Sequence, residues 1–365
     1  MAVHLHWFLP SHSDGRAIAR VEGEIAQGSA LGARRDPDLG YLTQVAQAAD
    51  RLGFESVLVP FGLFCEDPWL VTAALAQQTR RLKFMIALRP GLISPTLVAQ
   101  LCASTQRLTG NRLLLNVVTG GDSDEQRRYG DWADHGSRYE RTGELLTILN
   151  GTWDGCAFDF EGEHYRVKAA RVMRPSPRPA VFVGGSSPAA QQVAARHADT
   201  YLAWGETPEQ LRALVADFRA RTAAYGRTVP VGTRFHVISR DTAAEAWAVA
   251  ERMLAGMDPA MVAAAQSRFA LSESEGQRRM AALHAANPGR LEVAPNIWVG
   301  YSLLRPGAGA ALVGSHTEVA DRIEELHGLG IDHLILSGQP HLEEAYWFGE
   351  GVLPILAARG LLPDG

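Results

Sequence analysis

The chain has 365 residues, with 35 Lys and Arg against 40 Asp and Glu for a formal charge of −5, and 46% of its residues are AVILMFWYC. That length is enough for one large α/β barrel with insertions or for two ordinary domains, and the composition excludes a disordered or fibrous chain. The mild acidity gives nucleic acid or an anionic membrane no general attraction, so any bound anion needs a local set of donors.

The N-terminal stretch "MAVHLHWFLPSHSDG" lacks the basic and long apolar regions of a signal peptide, and no run of about 18 apolar residues occurs, which predicts a soluble cytoplasmic protein. Cys65, Cys102 and Cys156 are odd in number and too far apart for a zinc knuckle or a redox CxxC, which fits a reducing compartment. No convincing His/Asp metal-ligand set is expected.

Taken in order, residues 3–9 predict a first strand, 39–53 an amphipathic helix stopped by Gly53, and 56–60 a second strand. A helix over 68–80 begins near Pro68. Strand 82–88 leads to a helix over 94–110 with Ser94 as N-cap, then to strand 112–118. Further strands fall at 180–185, 200–204, 232–238 and 333–338. A doubly wound sheet would alternate in the same way, but eight strands with glycines at their C-terminal ends favour closure into a TIM (β/α)8 barrel. The whole chain, 1–365, reads as a single barrel domain with two insertions. Residues 151–178 predict a small hairpin. Residues 240–312 predict helices near 242–255 and 258–285, then a strip with Gly300, Gly307, Gly309 and Gly314, the pattern of a lid.

Several stretches could carry chemistry. "VFVGGSSPAAQQ" places a Gly-Gly turn before Ser187 as N-cap and Pro188 at N1, so backbone N–H groups and the helix dipole could meet a phosphate; a sharp turn alone explains the glycines equally. "VVTGGDS" (117–123) has the same ambiguity. Ser137 and Glu140 predict a capping box that starts a helix, with His135 and Tyr139 near enough to share a ligand. On strand 232–238, period two puts Arg234 and His236 on one face, opposite Phe235 and Val237. If that face points inward, the guanidinium needs an anion or a carboxylate. Arg305 lies within the glycine strip and could close over an anion, or hang exposed on a loose loop. A lone Cys65 is most often a small buried residue. No HExxH, P-loop or nucleophile elbow occurs.

Together the blocks "HWFLPSHSDG", "CEDPWLVTAALA", "NVVTGGD", "DHGSRYER", "VGGSS", "YLAWGE", "RFHVISR", "PNIWVGYSLLRPGAGAALVG" and "SGQPHLEEAYWFGE" resemble the flavin-dependent alkanesulfonate monooxygenases, a branch of the luciferase-like flavin monooxygenases, over about residues 3–355. The resemblance implies a TIM barrel that takes reduced FMN from a separate NAD(P)H-dependent reductase, reacts it with O2 and breaks the carbon–sulfur bond of an organosulfonate to give an aldehyde and sulfite. It carries catalytic roles onto Cys65, Arg234, His236 and Arg305. It puts flavin contacts at Asn116, Thr119, His135, Tyr139, Gly185, Ser186 and Ser187, and substrate contacts at His12, Trp204, Tyr301 and Gln339. It also implies a homodimer or homotetramer. Gln339 stands where the family has a tyrosine, and Tyr301, Pro306, Phe61 and Leu63 differ nearby. An amide offers more hydrogen bonds than a phenol, which points to a hydroxylated sulfonate such as a sulfosugar of the sulfoquinovose type. His341, Glu343 and Glu344 read as caps of the final helix.

Overall fold

A computed structural model describes residues 2–16, 18, 34–286 and 290–363. Eight parallel strands close a barrel: β1 (His4–Phe8), β2 (Ser56–Val59), β3 (Lys83–Leu88), β4 (Leu113–Val117), β5 (Ala180–Gly184), β6 (Thr200–Trp204), β7 (Val231–Arg240) and β8 (Ile331–Ser337). Each pairs with the next in sequence, and β8 returns to β1 through His4↔His333 and Trp7↔Leu336. The eight strands read from hydrophobic period are the eight that close.

Strand alternation sorts the side chains into two cores. Outward residues such as Trp7, Val57, Val59, Phe84, Ile86, Phe235 and Val237 pack under the helices. Inward ones, Phe8, Leu58, Met85, Leu114, Phe182, Leu202 and Ile335, fill the barrel itself. Burying each large apolar side chain of this kind contributes about 1.5–3 kcal/mol, so the interior is a packed plug and not a pore. Toward the N-terminal ends of the strands lies a histidine group. His6 Nε2 is 3.1 Å from His333 Nδ1, His6 Nδ1 is 2.8 Å from Ser56 Oγ, and His4 Nδ1 is 2.6 Å from Glu55.

Helix ends follow local chemistry. Ser94 and Ser187 cap helices Pro95–Thr109 and Pro188–His197 with Pro at the first position, and Gly53 ends helix Leu39–Leu52 in the left-handed region at φ 93°. Three readings need correction. The helix expected to start at Ser137 begins at His135, because Asp134 accepts from Ser137 N at 2.9 Å and from its hydroxyl, which leaves no Ser137–Glu140 capping box. The helix beginning at Pro68 stops at Leu75. The segment 258–285 is two helices, Pro259–Phe269 and Glu275–Ala286, parted by a turn in which Ser274 Oγ accepts from Gln277 N at 3.3 Å.

The insertion 151–178 forms the expected hairpin, Phe158–Glu161 with Arg166–Ala170. The insertion 240–312, of which 287–289 lie outside the described residues, is no free excursion. It returns as strand Ala311–Ser315, which pairs in parallel with the second half of β7 and is extended by Ile297–Trp298 and Glu292–Ala294. Two of its glycines serve close packing. A Cβ on Gly300 would lie 1.9 Å from the Trp298 ring, and one on Gly309 would lie 2.3 Å from the Ser302 side chain.

The final helix, His341–Ala358, has Pro340 at its N-cap and no cap from its own side chains. Asp14, in the loop after β1, supplies one: its Oδ2 accepts the backbone N–H of His341 at 2.7 Å. Glu344 is buried and paired with Arg240 at the end of β7, Arg240 Nη1 to Oε2 being 2.9 Å, while the half-buried Glu343 pairs with Arg35. The glutamates therefore tie the helix to its neighbours instead of capping it.

Candidate functional site

A cavity of about 210 Å³ opens at the C-terminal ends of the strands, the end where barrels of this kind carry chemistry. Its floor is the inner core, through Leu58, Leu202 and Ile335. Its walls come from the turns after β4 and β5, from Trp204 at the end of β6 and from Arg234 on β7. All seven residues expected at the flavin, Asn116, Thr119, His135, Tyr139, Gly185, Ser186 and Ser187, line it. The roof, Ser274, Glu275 and Gly276, was not legible in the sequence; a Cβ on Gly276 would meet the Trp204 ring at 2.9 Å, and one on Gly121 would meet the Ser274 Cβ at 2.7 Å.

One end of the cavity is built for an anion. The N-terminus of helix Pro188–His197 opens into it, presenting backbone N–H groups and the positive end of the dipole. Gly185 holds φ 137°, and a Cβ there would lie 2.6 Å from Tyr139 Oη. Tyr139 is buried, which pushes its hydroxyl pKa up, while hydrogen bonds with Ser187 and Thr119 oppose the shift, so it is a neutral donor. Deeper in, Asn116 is buried and its Oδ1 has no partner in the protein, leaving it free to accept from a bound molecule.

The remaining predicted residues form a second group that meets the first at Arg234. The Arg234 guanidinium lies 4.3 Å from the centre of the Phe8 ring, its Nε lacks a partner, and burial followed by the charge of Arg305 pushes its pKa down to about 9. Arg305 is buried, not exposed on a loose loop. Its Nη2 donates to His12 Nε2 at 3.3 Å, its Nη1 has no partner, and burial lowers its pKa. His12, accepting at Nε2, is held neutral by burial and then by Arg305. Among the described residues neither guanidinium has a carboxylate in an ion pair.

His236 is fixed rather than free. Its Nε2 is 3.1 Å from the carbonyl oxygen of Ala308 and so donates; its Nδ1, 2.9 Å from Ser337 Oγ, then accepts. The ring stacks on Tyr301 at 3.9 Å and 10°, and burial, with the two arginines, keeps it neutral. With both nitrogens engaged it holds the Ala308 loop and Tyr301 in place. Tyr301 and Gln339 are buried with Tyr301 Oη and Gln339 Oε1 unpartnered. Cys65 is half-buried beside Ser11, and burial pushes its thiol up to about 11, so it is no thiolate at neutral pH. Nearby, Arg89 is buried, pairs with Glu125 at 2.8 Å and lies over Phe61 and Tyr129, a set no sequence motif announces.

Among the described residues the one cluster with metal-ligand spacing, Glu140, Glu163 and His164, is largely exposed and stands apart from this cavity. No helix among the described residues is long and apolar enough to cross a membrane.

Comparison with solved structures places this geometry. The chain is similar to EDTA monooxygenase (EmoA) from Chelativorans sp. BNC1, with TM-score 0.79, 21% identity, and 100% of this chain and 95% of that one covered. It is similar to riboflavin lyase (RcaE), solved with modified FMN and riboflavin, at TM-score 0.79 and 22% identity, covering 100% and 93%. DmoA from Hyphomicrobium sulfonivorans aligns at TM-score 0.76 and 20% identity, covering 100% and 90%. At these identities the likeness establishes the fold. A model of the luciferase-like monooxygenase family matches residues 3–333, which is most of the chain. The closed barrel, its C-terminal cavity and that match over most of its length make this protein a member of the luciferase-like monooxygenase family.

Proposed function

We propose that the protein is the oxygenase of a two-component system that uses reduced FMN, delivered by a separate NAD(P)H-dependent reductase, and O2 to cleave the C–S bond of an organosulfonate, giving an aldehyde and sulfite. The observation that carries the substrate class is the pair Arg234 and Arg305: two buried guanidinium groups whose pKa values burial lowers, Arg305 lowering that of Arg234 further, each with an unpartnered nitrogen, beside histidines held neutral. Two such cations with no carboxylate in an ion pair among the described residues favour a strong, compact anion, and the planar fork of arginine suits a sulfo group.

FMN fits the cavity on this chain's own features. Its phosphate would take the helix N-terminus with Ser186, Ser187 and the Tyr139 hydroxyl, in a cradle that a side chain at Gly185 would fill. Its ring would supply the donor that Asn116 Oδ1 lacks, with Thr119 and Trp204 alongside. The reduced flavin supplies the electrons that activate O2. The protein's contribution is to orient the anion with Arg234 and Arg305, to fix that end through His236 and Tyr301, and to exclude water with the 274–276 roof. The free Gln339 Oε1 and Tyr301 Oη favour a substrate with hydroxyls, such as a sulfosugar of the sulfoquinovose type.

The test is sulfite release under O2 with FMN, NAD(P)H and a flavin reductase, from sulfoquinovose and from unbranched alkanesulfonates. Sulfite from the sugar in preference to the alkane is expected, and Arg305→Ala should raise KM at least about tenfold, the loss of one charge-assisted contact. Release from alkanes alone rejects the sulfosugar, and no release from any sulfonate rejects the substrate class.

A further inference from the structure

Every histidine and thiol so far placed around the two arginines is spoken for. His236 uses both ring nitrogens, His12 Nε2 faces an arginine N–H, and the Cys65 thiol is held protonated. His341 differs. Its Nδ1 lies 2.9 Å from Asp14 Oδ1, and since a carboxylate can only accept, Nδ1 carries the proton. Its Nε2 is buried and has no partner, so a ring protonated on Nδ1 alone presents a bare lone pair there.

Asp14 is built to hold that tautomer. Its carboxylate accepts from Gly15 N at 2.8 Å, from His341 N at 2.7 Å, from the Tyr41 hydroxyl and from His341 Nδ1. Burial alone would raise its pKa, but His341 and these donors hold it at about 2, so it is anionic wherever the protein works. The dyad adjoins the arginine group through Phe8, whose ring centre is 4.3 Å from the Arg234 guanidinium carbon, 5.6 Å from the His341 ring and 6.2 Å from that of His12. It also follows directly on Gln339 and Pro340, at the end of β8, where Ile335 and Ser337 stand in register with Arg234 and His236.

We infer that Asp14 and His341 form a proton-handling dyad of this site, in which His341 Nε2 takes the substrate proton that must leave as the C–S bond breaks, and Asp14 is its positioning residue. The identity of that substrate rests on the organosulfonate reading above. Once one oxygen atom from O2 stands as a hydroxyl on the carbon bearing the sulfo group, the O–H bond breaks and its electron pair becomes the second C–O bond. The C–S pair departs on sulfite, and the proton passes to Nε2. Aldehyde, sulfite and an imidazolium facing the Asp14 carboxylate result, and no further oxidant is needed. An imidazole held by a carboxylate at one nitrogen keeps the other aimed as a proton acceptor.

The experiment uses the full chain with FMN, reductase and a sulfonate from which the wild type releases sulfite. His341→Asn places an amide N–H where Nδ1–H now meets Asp14 and removes Nε2. It should keep wild-type affinity for reduced FMN and a KM within about threefold, while kcat for sulfite release falls about 100-fold or more. More than half of wild-type kcat across pH 6–9 would overturn the inference. If His341→Asn does not fold, Asp14→Asn is read instead: a displaced limb in the kcat–pH profile is expected, and an unchanged profile overturns the dyad. Should the wild type release no sulfite from any sulfonate, the substrate reading fails by itself, and 15N NMR of the wild type still decides the dyad. Neutral His341 should carry its proton on Nδ1; a proton on Nε2 overturns it.

Discussion

Gly185 shows how much of the site hangs on single atoms. Its positive φ and the 2.6 Å approach of Tyr139 Oη and of Ala190 Cβ to a virtual Cβ leave no room for a side chain. Gly185→Ala should weaken FMN binding at least about tenfold, read by fluorescence quenching, because backbone and Tyr139 must both shift. The cavity residues at the strand ends were legible because glycine turns there and an arginine on an inward face are local patterns. The Asp14–His341 contact spans 327 positions and was not: before folding, His341 is one more polar residue at a helix start. Asp134 and Ser137 make the same point more narrowly. Both are good caps three residues apart, and the carboxylate, which accepts from both Ser137 groups, takes the position.

At the scale of elements, β7 does the most to join barrel and insertion. Its first half closes the barrel between β6 and β8, its second half receives strand Ala311–Ser315, and its last residue, Arg240, reaches Glu344 on the final helix. Glu344 is 2% exposed, and burial raises its pKa while Arg240 opposes the shift. Arg240→Ala leaves that carboxylate buried and unpaired, so stability should fall by about 3–5 kcal/mol in urea titration; a loss below about 1 kcal/mol would show that the pair is not what fastens the helix. The strands were legible because alternation survives in the sequence, whereas the break between helices 259–269 and 275–286 hides behind a continuous polar pattern. What makes it a break is its position over Gly121 and Trp204, which only the closed barrel supplies.

For the whole molecule, the histidines at the N-terminal end of the barrel add to the acid response of the other buried histidines, His12, His197 and His236. Burial pushes His6 down to about 4 and His333 down to about 2, while Glu55 raises the pKa of His4 by its hydrogen bond. The first two stay neutral in the fold when the unfolded chain takes up protons near pH 6.5. The unfolded state therefore binds more protons as pH falls, and stability is lost below pH 6.5, continuing toward 4 for His6. Between pH 6.5 and 5 the part of the loss due to His6 and His333 should be roughly 3 kcal/mol, reduced somewhat by His4, which gains a proton in the fold. Urea midpoints measured across that range should fall with pH, and His6→Asn should flatten the fall; a constant midpoint would mean that the histidine group is open to water.

The central proposal is that Arg234 and Arg305 together hold a sulfo group beside the flavin. A crystal structure of the protein with FMN and an organosulfonate tests this most directly. Sulfo oxygens within about 3 Å of both guanidinium groups, over the isoalloxazine side of the cavity, are the predicted result. A sulfonate bound elsewhere, with both arginines turned away from it, would contradict the account.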